Sequence, residues 1–402
     1  MKIAAVRLFE VRGEMNFPGE FWEERLIRPV DIYPEHKDQG PGWLAKIEDG
    51  GENGGEVRYE MRSLFCEIQT DEGVTGLAGP TTSEQAFIIQ HQLAPMLIGH
   101  DPLATERIWD RLYRSMVHGR KGPSMMALSV VDCALWDLKG KWAGVPVYRL
   151  LGGPVRDEIP AYASALGYSL EPELVTQRAK EMVAQGYRAM KWFFREGPTD
   201  GRAGIAKNVE LVRTLREAVG PDVDLMLDCW MSWDVPYTIE MARLLAPYHL
   251  RWLEEPVLPD KIPQYAEIRR SVSIPISGGE HEYTRWGIKA LLDAGAVDVL
   301  QPDIYWAGGI SEAHKICTLA SAYDIPVIPH GHSVPATVNL IAAQPEPVCP
   351  IVEYLVKWNT IHQFFLKHPI VPVDGKISLP TEPGLGMELD EDKILSLTEL
   401  RF

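Results

Sequence analysis

The chain has 402 residues, 46% of them hydrophobic and 24% charged, which is too long for one small core and suits two globular domains. A net charge of −16 and a pI near 5.2 argue against nucleic acid or an anionic membrane as a partner. Five scattered cysteines without a CxxC pair read as reduced, mostly buried thiols, and no stretch has the length of a transmembrane helix. The opening MKIAAVRLFEVRGEM lacks a signal-peptide core, so the expectation is a soluble, cytoplasmic protein.

Residues 1–12 alternate as a first strand, and residues 13–58 are rich in Gly, Pro and charge, ending in the Gly-rich EDGGENGGE. A segment that long without regular structure is usually functional, so a lid over about 13–58 is expected. RSLFCEIQTDEGVTGL reads as two strands joined at DEG, and 83–144 as helical, with Ser124–Leu138 the most apolar helix. LLGGP then breaks the pattern. Eight strand-like runs follow, separated by helical periodicity: IPAYASAL, RAMKWFF, DLMLDCW, RWLEEP, IPISGGE, VDVLQPD, IPVIPHG and CPIVEYL. Eight units in series predict a (β/α)8 barrel. An open doubly wound sheet is the rival fold, but no strand is followed by GxGxxG. The turn-rich tail VPVDGKISLPTEPGLGMELDEDKIL suits packing against the amino-terminal domain. The expected organisation is an α+β capping domain (1–150), a barrel (151–370), and a tail (371–402) that completes the cap.

The barrel runs carry an even beat of acids. Asp228, Glu254 and Glu280 lie 26 residues apart at the ends of successive runs. A (β/α)8 unit takes roughly that length, and strand ends line the face where such barrels place their chemistry. Three convergent carboxylates disfavour one another's ionisation, so a hard divalent cation with oxygen ligands, Mg2+, is the natural counter-charge. Asp303, His330 and Glu353 continue the rhythm, and Lys191 ends the second run. Ionisable groups at so many strand ends are costly unless they bind something. A lone Asp at a strand end is more often a helix cap, and Cys229 beside Asp228 reads as a packed thiol rather than a nucleophile. EDGGENGGE lacks the Lys-Ser/Thr of a phosphate-binding loop.

Ala203–Asn208, Leu225–Tyr237, Ala246–Glu255, Ser277–His281, Gln301–Gly309, Ile328–Val334 and Pro383–Asp390 together resemble the enolase superfamily. The resemblance is to its mandelate-racemase-like branch, most closely to the L-rhamnonate dehydratases, and covers nearly the whole chain. It implies an enolase-type modified barrel, one Mg2+ per subunit held by Asp228, Glu254 and Glu280, and His330 as a base oriented by Asp303. Glu353 would hydrogen-bond a substrate carboxylate, Lys191 would contact it, and Glu255 would stand behind the metal ligands or near the substrate. His281 would be a substrate-side donor, with a structural hydrogen bond almost equally compatible, and His332 a neighbour of the base. The implied reaction is dehydration of an acid sugar to a 2-keto-3-deoxy acid, by a homo-oligomer. Many relatives carry Lys-x-Lys on the second strand, whereas this chain has Lys191-Trp192-Phe193, which argues against a two-base racemase. Arg25 stands where rhamnonate dehydratases place a histidine, so another aldonate becomes the open alternative. Arg25, Arg28 and Arg58 are candidates for polyol contacts. An epimerase, a cycloisomerase or other lyase of the superfamily, and a non-catalytic sugar-acid binder are the rival functions.

Overall fold

The computed structural model describes residues 1–37, 40, 44–48 and 55–402. Most of the EDGGENGGE stretch (49–54) lies outside the described residues. The amino-terminal sheet is antiparallel and contains β1 (Ile3–Pro18), β2 (Ala45–Glu48), β3 (Glu56–Thr70) and β4 (Thr75–Thr81). β1 runs past residue 12 and pairs with β3 as far as Pro18↔Glu56, so both ends of the expected lid are sheet. Its inward face continues through Gly13 and Met15. Gly13 looks like a strand end in the sequence, but a Cβ there would lie 2.4 Å from the Lys393 carbonyl, so the glycine admits the returning tail.

The helix Pro123–Ala143 packs across this sheet. It starts with proline in its first turn and ends at Gly144 with φ +69°, where a left-handed residue closes a helix at least cost. It is apolar almost all round because the sheet covers one side and the barrel helices the other.

The barrel strands are β5 (Glu158–Ser164), β6 (Ala189–Phe193), β7 (Asp224–Asp228), β8 (Trp252–Glu254), β9 (Ile276–Gly278), β10 (Val299–Leu300) and β11 (Val352–Leu355). They pair in parallel in the order β10-β9-β8-β7-β6-β5-β11. The expected run Ile325–Gly331 forms only a bridge, Leu300↔Val327, with a further bond from Val327 N to Val348 O at 2.7 Å. Pro326 and Pro329 remove the ladder donors that a full strand would need. The segment still fills its place: Ile328 joins Tyr162, Ala189, Met226, Trp252, Val299 and Ile351 in a buried cluster inside the barrel.

In the tail, β12 (Lys376–Ser378) pairs antiparallel with β5, and β13 (Ser396–Glu399) pairs antiparallel with β1. The tail therefore contacts both the barrel and the amino-terminal sheet. All five cysteines are buried and free. No helix among the described residues is long and apolar enough to cross a membrane.

Candidate active site

The strands of a parallel barrel deliver their last side chains to one rim, and here acids stand at or just past several of those ends. Asp228 ends β7, Glu254 ends β8, and Glu280 follows β9 by two residues. The Asp228 Oδ1 accepts from the Trp230 amide at 2.8 Å. Glu254 is fully buried, and its Oε2 accepts from Trp252 Nε1 at 3.0 Å and Gln301 Nε2 at 2.8 Å. The Lys191 ammonium at the centre of β6 is bonded to Glu254, lies 2.8 Å from Glu353 and 3.6 Å from Asp228. Burial works against its charge, but Glu254 and Glu353 outweigh that and hold its pKa well above the ordinary lysine value.

Across the mouth, His330 Nδ1 lies 2.7 Å from Asp303 Oδ2, while its Nε2 is 3.6 Å from Glu280. Asp303 also caps a helical turn, its Oδ1 accepting from Tyr305 N at 2.7 Å, so the carboxylate is fixed from both sides. Burial would lower the His330 pKa, but the charge of Glu280 and the bond to Asp303 push it up to about 10. A second such pair stands beside it, with His281 Nδ1 2.7 Å from Glu255 Oε2. The Trp306 ring lies against both imidazoles, with centroids 5.1 Å from His330 and 5.5 Å from His281. Glu353 on β11 accepts from Gly331 N at 2.9 Å, which ties it to the loop that carries His330.

Six buried carboxylates (Asp228, Glu254, Glu255, Glu280, Asp303, Glu353) thus face one lysine and two histidines. Three of them are held against ionisation: burial and the charge of Glu254 push Asp228 well above its ordinary value, burial with Glu255 pushes Glu280 up to about 7, and burial raises Asp303 despite its bond to His330. A divalent cation relieves that excess, and carboxylate oxygens are the donors hard cations prefer. The residues present therefore fit Mg2+. Among the described residues, the set whose ligand atoms all lie within 4.8 Å of one another is Glu255, Glu280 and His281 rather than Asp228, Glu254 and Glu280, but Glu255 and His281 already satisfy each other. The backbone at this rim is strained, since Trp230 (φ 37°) and Glu255 (φ 40°) are left-handed without being glycine, each within two residues of a rim acid. Such strain concentrates where a site over-determines its backbone.

A cavity of about 610 Å3 opens above these groups, and of the predicted site residues Lys191, Asp228, Glu280, His330 and Arg25 line it. Glu254, Asp303, Glu353 and His281 do not line it, and His281 lies against the Trp230 and Trp306 rings. Arg25 is committed elsewhere: its guanidinium holds Asp31 at 2.6 and 3.1 Å and donates to the His36 and Lys37 carbonyls at 3.0 and 2.7 Å. Arg28 shares Asp31 with it. Arg58 lies on β3 with its guanidinium 3.3 Å from Glu14 and does not line the cavity. Sequence reasoning did not single out Trp22, Trp358 and His362, which form the opposite wall. The aromatic pair Phe21-Trp22 between Glu20 and Glu23 was the one available signal.

A rim of acids on a modified barrel, capped by an antiparallel sheet that the carboxyl terminus completes, is the build of the enolase superfamily, and the chain belongs to that family. Residues 57–152 match the mandelate racemase / muconate lactonizing enzyme N-terminal domain, and 174–393 match the enolase C-terminal domain-like family. Within it the chain is similar to L-rhamnonate dehydratase, a hydro-lyase. The one from Saccharopolyspora erythraea is 35% identical over 405 residues, covering 98% of this chain and 97% of that protein. The solved rhamnonate dehydratase from Gibberella zeae complexed with Mg is 31% identical with a TM-score of 0.82, covering 98% of this chain and 96% of that one. The 3,6-anhydro-D-galactonate cycloisomerase from Zobellia galactanivorans is 30% identical with a TM-score of 0.79 and 98% of both chains covered.

Proposed function

We propose that the protein is a Mg2+-dependent aldonate dehydratase, removing the C2 proton and the C3 hydroxyl of an acid sugar to leave a 2-keto-3-deoxy acid. The observation that carries the reading is the His330–Asp303 pair, 2.7 Å apart, set opposite a rim of acids with the ring's free nitrogen facing Glu280. Asp228, Glu254 and Glu280 would hold the metal. The trio of Glu255, Glu280 and His281 has its ligand atoms closer together, but two of its members already bond to each other as an imidazole–carboxylate pair. When bound, Mg2+ supplies Lewis-acid stabilisation for the second negative charge that develops on the substrate carboxylate.

The remaining steps belong to the chain. His330 takes the C2 proton at Nε2, and Asp303, accepting from Nδ1, fixes the tautomer and stabilises the imidazolium. The protonated ring then gives that proton to the departing C3 hydroxyl, a syn elimination on one face. With Glu280 ionised and unshared, His330 is held up at about 10, too high for a base at neutral pH. Charge neutralisation at Glu280 removes the largest cause of that rise. Glu353 would hydrogen-bond a substrate carboxylate oxygen, and Lys191, lining the cavity beside it, would contact the same group. Phe193 replaces any second base on the far face, which supports elimination over racemisation.

A semicarbazide assay over an aldonate and aldarate panel should show keto acid with Mg2+ and none with EDTA. His330→Asn should abolish both keto acid and C2-hydrogen exchange in D2O; exchange at the native rate would remove His330 from the base role. The likeness to the cycloisomerase supports a second reading, isomerisation without loss of water. Mass spectrometry separates the two, because only the dehydratase product is lighter by one water.

A further inference from the structure

We infer that His362, on the segment that follows β11, is a specificity residue: its Nε2 is a fixed hydrogen-bond acceptor for one substrate hydroxyl beyond C3. The inference rests on the acid-sugar reading above and adds to it a group of the barrel's own loops that selects a hydroxyl.

The tautomer of His362 follows from its surroundings. The residue closes the short helix Val356–His362, and its Nδ1 lies 2.9 Å from the His332 carbonyl oxygen. A carbonyl oxygen can only accept, so Nδ1 carries the proton and Nε2 carries the lone pair. Nε2 has no partner among the described residues and is not sealed off by protein, so it opens on the cavity that the ring lines. The ring cannot easily turn to present its other edge. Trp358 is tilted against it with centroids 5.2 Å apart, and the His332 ring stands at 4.4 Å on the other contact.

Burial keeps this part of the wall uncharged. It pushes His362 down to about 4, with His330 adding to the fall, and it pushes His332 well below the ordinary histidine value. A neutral lone pair suits a hydroxyl donor and repels a carboxylate oxygen. The three imidazoles succeed one another along the wall, since the His332 centroid is 6.4 Å from that of His330 and 4.4 Å from that of His362. His330 serves C2 and C3, so the hydroxyl that meets His362 belongs to a later carbon. A site built to bond a hydroxyl rejects the analogue that lacks it, because the acceptor is then left dry and unpaired.

The test is calorimetric binding, with Mg2+ present, of the best aldonate from a five- and six-carbon panel and of its singly deoxygenated analogues beyond C3. Wild type should bind one of those analogues about tenfold more weakly than the parent, or worse. His362→Phe keeps a ring of similar shape and removes the lone pair. The parent should then fall to the level of that analogue, while the analogue binds as it does to wild type. His362→Leu repeats the comparison should phenylalanine not fit between Trp358 and His332, and Mg2+ binding without sugar acid should not move in either variant. Equal binding of the parent and every deoxy analogue to wild type would overturn the assignment, as would a His362→Phe protein that keeps the wild-type preference or weakens parent and analogues alike. Each of those outcomes leaves the acid-sugar reading intact. Binding of no acid sugar at all would overturn that reading, and the role of His362 with it.

Discussion

Asp303 does two things with its two oxygens, and a single substitution separates them. Oδ1 caps the turn at Tyr305, and Oδ2 faces His330 Nδ1. In Asp303→Asn the amide oxygen can keep the cap while the amide nitrogen turns to the imidazole. His330 Nδ1 must then accept, its proton moves to Nε2, and the nitrogen that should take the C2 proton is blocked. We expect kcat to fall by about 10²- to 10⁴-fold, the usual worth of general base catalysis, with the melting temperature and Mg2+ affinity little changed. A variant with native kcat would show that Asp303 does not set the tautomer. At this scale the sequence was legible where spacing carried the signal: Asp228, Glu254 and Glu280 gather because a barrel unit has a fixed length. Arg25 shows the limit. A basic residue in a polar segment resembles a substrate contact, and only the fold reveals that Asp31 and three backbone carbonyls take up its donors.

Among the elements, the helix Pro123–Ala143 carries the junction of sheet and tail. Its Asp137 is fully buried, accepts from Leu77 N of β4 at 2.8 Å and from Leu385 N of the tail at 2.7 Å, and lies 2.7 Å from Lys141 one turn on. One carboxylate thus joins three segments far apart in sequence. Asp137→Ala strands two buried amides, a change of about 2–5 kcal/mol, while the part-exposed Lys141 ammonium keeps the Met387 carbonyl. The amino-terminal part should then melt earlier by about 10 °C in scanning calorimetry. A shift of less than about 2 °C would mean that those amides find other acceptors. Element prediction failed where local residues carried two messages. IPVIPHG is as apolar as its neighbours and reads as a strand, yet its prolines leave only a bridge, while Ile328 still reaches the interior. Gly13 reads as a strand end, but β1 continues because the tail needs room there. Neither outcome can be read without knowing what packs opposite.

The molecule holds its amino-terminal helix to the barrel through a buried acid whose ionisation is itself unfavourable. Asp132 accepts from Ser311 N at 2.9 Å and Ser311 Oγ at 2.6 Å, and Trp136 Nε1 donates to that same hydroxyl oxygen at 2.8 Å. Ser311 belongs to the barrel helix Gly309–Ser321, so the contact spans the two parts of the structure. Burial pushes Asp132 from 3.8 up to about 7; its bonds to Ser311 and the charge of Lys315 pull the other way without winning, and Glu106 adds to the rise. Between those two values the unfolded chain has lost the proton while the folded chain keeps it. Folded Asp132 then binds more protons than unfolded Asp132, so its contribution makes stability fall as pH rises from about 4 to about 7. Over that window the loss is on the order of 4 kcal/mol at most, fully incurred above pH 7. Asn imitates the neutral acid, with one acceptor and one donor, and cannot ionise. Asp132→Asn should therefore match wild type near pH 4 and melt progressively higher than it as pH rises to 8. Differential scanning calorimetry at half-unit steps gives the two curves. If they run parallel, Asp132 ionises as freely in the folded protein as in the unfolded chain, and the junction carries no pH-dependent weakness.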